Sequence, residues 1–129
     1  MTSETNTKQL PADLDKFVGS TQFFRHPFGV IFTEGIHYLA DECGAFWVID
    51  VVASYQNSPK LRNEGFQLWR IERDPENTDG CIVTCRSDTN EPHLVRQLIE
   101  YTDFPLNQPF EFYAVSNGDV PVVMLKSEY

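Results

Sequence analysis

The segment Arg25-His26-Pro27 places a permanent cation beside an imidazole that titrates near neutral pH. A guanidinium binds anions and an imidazole transfers protons, so this pair is the short motif that most resembles a substrate-binding site. The competing interpretation is structural, with Arg25 paired to a carboxylate such as Asp50 and His26 capping a turn. The structural interpretation is favoured, and the functional one is kept as a hypothesis.

Asp50 is a lone carboxylate within a nearly continuous apolar segment, residues 45–56. A carboxyl group buried without a partner tends to hold its proton, which is how general acids are made. Ser54 and Asn57 follow at helical spacing, however, so the three residues form a polar stripe, and a hydrated face is favoured. The candidate binding residues are Arg25, His26, Tyr38, Asp50 and Tyr55.

His37 and Asp41 lie one helical turn apart, a spacing that brings two ligands to one metal. Two ligands do not complete a site, and Cys43 falls on the apolar side of the same helix. Cys81 and Cys85 lie on one side of a strand about 13 Å apart, too far for a mutual disulfide. The sequence therefore predicts no metal site, no cofactor and buried thiols.

Hydrophobic periodicity predicts the helices that must position these side chains. Helices are expected over 34–43 and 45–56, and a shorter helix is expected to open at Pro11 and to end at Gly19 and Ser20. Residues 29–32 are expected to form a short strand.

The second half of the chain is predicted to consist mainly of strands. Alternating and β-branched segments predict strands over 66–73, 81–86, 110–115 and 120–125. The Asn117-Gly118 pair supplies the positive φ values of a tight hairpin between the last two.

Residues 91–104 fit two secondary structures. The helical interpretation rests on apolar residues at helical spacing, with Asn90 as its N-cap. The competing interpretation is a strand over 94–103 that continues an antiparallel meander. The spacing is compatible with both. The apolar residues concerned are Leu94, Val95, Leu98 and Ile99.

These elements predict an α+β fold. N-terminal helices would pack on one face of a four- to five-stranded antiparallel sheet formed mainly by the C-terminal half. Residues 10–129 are expected to form one compact domain, and residues 1–9 a flexible tail, because they include few apolar side chains.

The chain carries 19 carboxylates against 10 Lys and Arg, a formal net charge of −9. This balance argues against nucleic-acid binding and anionic membranes, and it favours basic partners. Residues 26–59 and 97–125 contain no Lys or Arg and four carboxylates each. An acidic face is expected to be built from Glu34, Asp41, Glu42 and Asp50 together with Glu100, Asp103, Glu111 and Asp119. With no apolar run long enough to span a membrane and no secretory signal, a cytoplasmic location is expected.

Four segments resemble a family of small uncharacterised bacterial proteins catalogued as a domain of unknown function. They are Arg25-His26-Pro27-x-Gly29, Ala53-Ser54-Tyr55-Gln56, residues 101–106 (Tyr-Thr-Asp-Phe-Pro-Leu) and Ser127-Glu128-Tyr129. The resemblance implies a single-domain protein of this size and favours the strand before Tyr101. It implies no activity and assigns no site residue.

No catalytic or cofactor-binding motif occurs in the sequence. The leading hypothesis is therefore a protein that acts by protein–protein interaction or regulation. The alternative is a small enzyme or ligand-binding protein with a pocket near Arg25, His26 and Asp50. Homo-oligomerisation through an exposed sheet edge or an aromatic patch is a further hypothesis. Trp47, Tyr55, Trp69 and Tyr101 are expected mainly in the core, and any of them that is exposed would be a good interface anchor.

Overall fold

The computed structural model describes residues 10–18 and 22–129. The predicted flexible tail over 1–9, and the predicted helix end at Gly19 and Ser20, lie outside the described residues. Single 3-10 turns occur at Leu14–Lys16 and Lys126–Glu128. The helices and strands are β1 (Phe23–Arg25), β2 (Ile31–Thr33), α1 (Glu34–Cys43), α2 (Phe46–Tyr55), β3 (Phe66–Asp74), β4 (Asn77–Arg86), β5 (His93–Ile99), β6 (Phe110–Ser116) and β7 (Pro121–Leu125).

The strands form one seven-stranded mixed sheet in the order β1-β2-β7-β6-β3-β4-β5. The α+β class is confirmed, but the prediction of four or five antiparallel strands behind leading helices was wrong. Two strands precede α1, and β2 pairs with β7 in parallel through Ile31–Val122 and Phe32–Val123. Short edge strands such as β1 carry too little periodicity to be recognised, and nothing local in β2 indicates a partner so distant in sequence.

The two main helices are confirmed nearly to the residue. Thr33 caps α1, because its hydroxyl accepts a hydrogen bond from the Ile36 amide at 3.2 Å, and Gly44 ends α1 with φ of 62°. The helix predicted to open at Pro11 is only the turn Leu14–Lys16. No helix in the described part of the chain has both the length and the apolar character that a membrane crossing requires.

The ambiguous segment 91–104 is a strand, β5, over His93–Ile99. Val95 is buried opposite Cys85, while Arg96 pairs with Thr84 on the other side of the sheet. Backbone pairing with β4 outweighs the helical spacing of the apolar residues, which is only a local preference.

Both helices pack on one side of the sheet, around the core. Alternate strand residues point to this side, among them Trp69, Phe112 and Val123, which are fully buried with Val52 of α2. The other side, here called the open face, carries the residues in between. Leu68, Ile82 and Thr84 are nevertheless buried there between their strand neighbours.

A row of charges crosses the open face. Arg70 contacts Glu72 at 2.7 Å and Glu111 at 3.0 Å, and Lys126 contacts Glu111 at 2.8 Å. The hydrogen bond from Lys126 holds the pKa of Glu111 below its usual value, with a smaller contribution from Arg70. Glu111 therefore lies on the side opposite α2, and the predicted face of eight carboxylates is not one surface.

The turn after β7 fastens α1 to the sheet. The carboxylate of Glu128 accepts hydrogen bonds from the Thr33 hydroxyl at 2.6 Å, the Leu125 amide at 2.9 Å and the Gly35 amide at 3.2 Å. The neighbouring Ser127 hydroxyl donates to the Phe17 carbonyl at 2.7 Å. The terminal Ser-Glu-Tyr segment thus joins β7, the start of α1 and the segment before β1.

Candidate functional site

Helix α2 places Asp50 on an exposed ridge. Its buried side faces the core through Val48, Ile49, Val52 and Ala53. Phe46, Asp50 and Ser54 recur at one-turn spacing on the opposite side and are all exposed. Asp50 and Ser54 therefore form the exposed polar stripe that was predicted, whereas Asn57, the third predicted member, lies in the turn after α2.

The turn between β1 and β2 brings Arg25 and His26 to this ridge. The His26 amide donates to the Val30 carbonyl at 2.8 Å, and the Gly29 amide donates to the His26 carbonyl at 3.1 Å. Gly29 has φ of 100°, a conformation that residues with a Cβ rarely adopt. The turn presents Phe28 at its tip, 72% exposed.

His26 fastens this turn to α2. Its Nε2 lies 2.7 Å from Oδ1 of Asp50, and its Nδ1 accepts the Phe28 amide hydrogen at 3.0 Å. Because Phe28 donates to Nδ1, the neutral ring must carry its proton on Nε2 and donate it to Asp50. His26 is buried, whereas the Asp50 side chain is 66% exposed. The partner of Asp50 is thus His26 and not Arg25, and His26 also caps the turn.

Two grooves flank Asp50. The first groove, of about 600 Å³, lies between the β1–β2 turn and α2. The second groove, of about 480 Å³, lies between α2 and the segment after β5. The first is lined by Arg25, His26, Pro27, Phe28, Phe32, Phe46, Ile49, Asp50 and Ser54. The second is lined by Gly44, Trp47, Asp50, Val51, Ile99, Tyr101, Thr102 and Asp103.

The structure brings together three of the five candidate residues, Arg25, His26 and Asp50. Tyr38 lies elsewhere on α1, where its hydroxyl donates to both carboxylate oxygens of Asp13 at 3.0 and 3.2 Å. This hydrogen bond raises the pKa of Tyr38. Tyr55 points to the sheet and donates to Gln97 at 2.7 Å. Neither tyrosine lines either groove.

The residues that the sequence did not identify are aromatic. Phe28, Phe46 and Tyr101 border the grooves with exposed fractions of 72%, 43% and 72%, and Trp47 is half-buried beside them. Composition alone assigns such side chains to the core, and Tyr101 in particular is not there. The available signal was positional, because Phe28 lies in the Arg-His-Pro-x-Gly turn and Phe46 one turn before Asp50.

The remaining candidate groups are structural. The His37 ring stacks on Phe24 at 4.2 Å and meets the edge of Phe46, while Asp41 is exposed. No group of three metal-ligating side chains occurs within 10–18 and 22–129. Burial raises the pKa of Cys81 to about 11 and that of Cys85 to about 12, so both thiols are poor nucleophiles.

Comparison with known proteins gives a family but no activity. The model of a family described as "Family of unknown function (DUF6876)" matches residues 8–129. No curated protein matches the chain. No solved structure matches it either. Because the match covers nearly the whole chain, including both sides of the grooves, the protein belongs to the DUF6876 family.

Proposed function

We propose that the protein is an interaction module that binds a basic, partly apolar segment of a partner protein. The binding surface, here called the α2 surface, consists of Phe28, Phe46, Trp47, Asp50 and Tyr101. The observation that carries the proposal is the arrangement of exposed aromatic side chains along two grooves that share one carboxylate.

The aromatic side chains supply the apolar part of the proposed interface. Exposed Phe28, Phe46 and Tyr101 cost free energy in water, and large aromatic residues in grooves are typical anchors of protein interfaces. The His26–Asp50 hydrogen bond holds the Phe28 turn against α2, so one wall of the first groove is already formed before a partner arrives.

Charge selects the partner. Residues 26–59, which supply most of the α2 surface, contain no Lys or Arg. Asp50 lines both grooves, and Asp103 lines the second, whose described lining residues include no Lys or Arg. A partner's Lys or Arg would therefore meet negative potential in the second groove. Such complementarity favours basic partners and repels acidic ones.

The geometry of His26 supports binding over acid–base catalysis. Its Nδ1 accepts from Phe28 and its Nε2 donates to Asp50, so neither nitrogen is directed at the first groove. The nearby Ser54 hydroxyl donates to the Val51 carbonyl at 2.7 Å and is not oriented by His26. A nucleophile–base pair, which requires hydrogen-bond contact between the two groups, is not formed.

Pools of short peptides with a fixed central residue test the proposal. A pool with central Lys flanked by Leu or Phe is expected to shift backbone NMR signals of Phe46, Asp50 and Tyr101, whereas the same pool with central Glu is expected to leave them unchanged. Asp50→Asn is expected to weaken binding of the Lys pool about tenfold, because the shared carboxylate is lost.

Phe46→Ser and Phe23→Ser form a matched pair of controls. Both replace an exposed phenylalanine, but Phe23 lies on β1 outside both grooves. Phe46→Ser is expected to abolish binding and Phe23→Ser to retain it. Equal binding of the Lys and Glu pools, or equal losses in the two serine variants, would contradict the proposal.

A second candidate function is supported by Arg25. Its side chain lines the apolar first groove and makes no ion pair within the described ranges. An organic anion with an apolar body fits such a groove. Benzoate and decanoate are the probes, and saturable shifts at Phe28 and Phe46 that vanish in Arg25→Gln are the expected result. Shifts that persist in this variant would refute the candidate.

A further inference from the structure

The two edges of the sheet differ in length. At one edge, β1 has only three residues. At the other, β5 has seven residues, with no Pro and no Lys, and among the described residues nothing pairs with its outer side. Proteins usually shorten, charge or cover such an edge, because its unpaired backbone groups recruit another strand.

The backbone groups of β5 that can pair with another strand belong to its even-numbered residues Arg96 and Leu98. The Ile99 carbonyl lies against Gly80 of β4, where a Cβ would overlap it. The backbone hydrogen-bonding groups of Ile99 therefore point toward β4. In an antiparallel pair, successive residues alternate between the two sides. The amide and carbonyl groups of Arg96 and Leu98 therefore point away from β4.

The side chains at this edge are complementary to themselves. Leu98 lies on the open face with 54% of its surface exposed. Arg96 precedes it by two residues on the same strand, and Glu100 follows β5 in a bend, where its carbonyl accepts the Asn77 side-chain amide at 2.9 Å. Both charged side chains are exposed. Neither has an ion-pair partner in the part of the chain that the structure describes. An antiparallel copy centred on Leu98 brings each Arg96 next to the Glu100 that lies just beyond the end of the other copy's β5.

We propose that β5 binds β5 of a second copy of this chain, antiparallel and with Leu98 on the two-fold axis. Leu98 then packs against its symmetry mate, and two Arg96–Glu100 pairs flank it. Centring on Arg96 would place two arginines opposite each other, and centring on Gln97 would leave both charges unpaired. A shift by one residue would put the helices of the two copies on opposite faces of the joined sheet.

The proposed dimer does not rest on the proposed function and goes beyond it, although Ile99 and Tyr101 place the second groove beside the β5 edge. Two-fold association is the commonest form of oligomer, and here it would join two seven-stranded sheets into one. The joined sheet leaves only the short β1 edges exposed. Peptide binding and dimer formation are read out separately, so either can fail without the other.

Charge reversal tests the register. Sedimentation of the full chain over a dilution series is expected to show a species of twice 14.8 kDa. Arg96→Glu and Glu100→Arg, made singly, are each expected to raise the dimer dissociation constant about tenfold or more, because like charges then face each other. The double variant, which carries both Arg96→Glu and Glu100→Arg, is expected to restore the dissociation constant of the unchanged protein. A monomer at every concentration would overturn the proposal, and so would a double variant that dimerises more weakly than both single variants.

A cysteine at the axis gives a second measurement. The native Cys43, Cys81 and Cys85 are all buried and form no disulfide. Directly opposed positions in an antiparallel pair have Cα atoms about 5.5 Å apart, within the range of a disulfide. Leu98→Cys is expected to give a covalent dimer under mild oxidation, and Arg96→Cys is not, because the residue next to it in the other copy is Glu100. Equal crosslinking of the two variants would also refute this register.

Discussion

Replacing Glu128 by alanine is expected to lower the free energy of unfolding by about 3 kcal/mol, since hydrogen bonds to a charged group contribute roughly 1.5–3 kcal/mol each. The carboxylate accepts from Thr33, Gly35 and Leu125, and it places a negative charge at the N-terminus of α1, where the helix dipole favours one. Its removal releases the start of α1 from β7. Urea unfolding measures the loss.

Two controls isolate the contribution of Glu128. Glu91→Ala removes an exposed glutamate and is expected to change stability by less than about 0.5 kcal/mol. Gly35→Ala places a Cβ 2.6 Å from the Glu128 carboxylate and 2.7 Å from Leu125 Cδ1, so both side chains must shift. The loss of stability caused by Gly35→Ala is expected to be smaller in a protein that already carries Glu128→Ala. Equal effects of Glu128→Ala and Glu91→Ala would rule out a stabilising role of the C-terminal turn.

Gln67→Leu is expected to destabilise the protein by about 3 kcal/mol although it makes the core more apolar. Gln67 is 1% exposed, and its Oε1 accepts from the Trp69 indole at 2.9 Å and from Gln56 at 3.0 Å. Its amide nitrogen donates back to Gln56 at 2.9 Å. Leucine would leave a buried indole N–H and the Gln56 amide without these partners. The midpoint of urea unfolding measures the change.

Thr84→Val is the contrasting substitution. The Thr84 hydroxyl is buried without a hydrogen-bond partner in the described structure. Valine has nearly the same shape and removes this group, so stability is expected to rise by about 1 kcal/mol. If Thr84→Val lowered stability, or if Gln67→Leu did not, hydrogen-bond pairing would not govern the stability of these buried sites.

The sequence was sufficient for elements whose determinants are local. Helix α1 lies between a threonine cap and Gly44, and the hairpin predicted between the last two strands is present. Its turn differs from the prediction, because Gly118 has φ of 98° but Asn117 does not have positive φ. The Asn117 side chain instead accepts the Asp119 and Val120 amides at 2.9 Å. Strand β5 shows the opposite case. Its apolar spacing also fits a helix, and only pairing with β4 makes it a strand. Sheet order depends on contacts between distant segments, which no local pattern records.

The candidate site was partly predictable for the same reason. Asp50 stood out as a carboxylate in an apolar helix, and Arg25 and His26 as a charged pair before a turn. Their meeting depends on how that turn packs on α2, and Tyr38 and Tyr55 were included only for their chemistry. Phe28 and Phe46 were not identified, and Tyr101 was expected in the core, because large aromatic side chains are usually buried and their exposure is set by the tertiary fold.

The parallel pairing of β2 with β7 has a consequence for biosynthesis. The β1–β2 hairpin has no other neighbour in the sheet, so it must wait until residues 121–125 have been synthesised. A contact that closes so long a stretch of chain forms slowly, because the chain loses conformational entropy before the strand pairing stabilises it. The edge of β2 that pairs with β7 remains unpaired on the nascent chain in the meantime. A ribosome-bound intermediate that lacks β7 is therefore the species most exposed to aggregation.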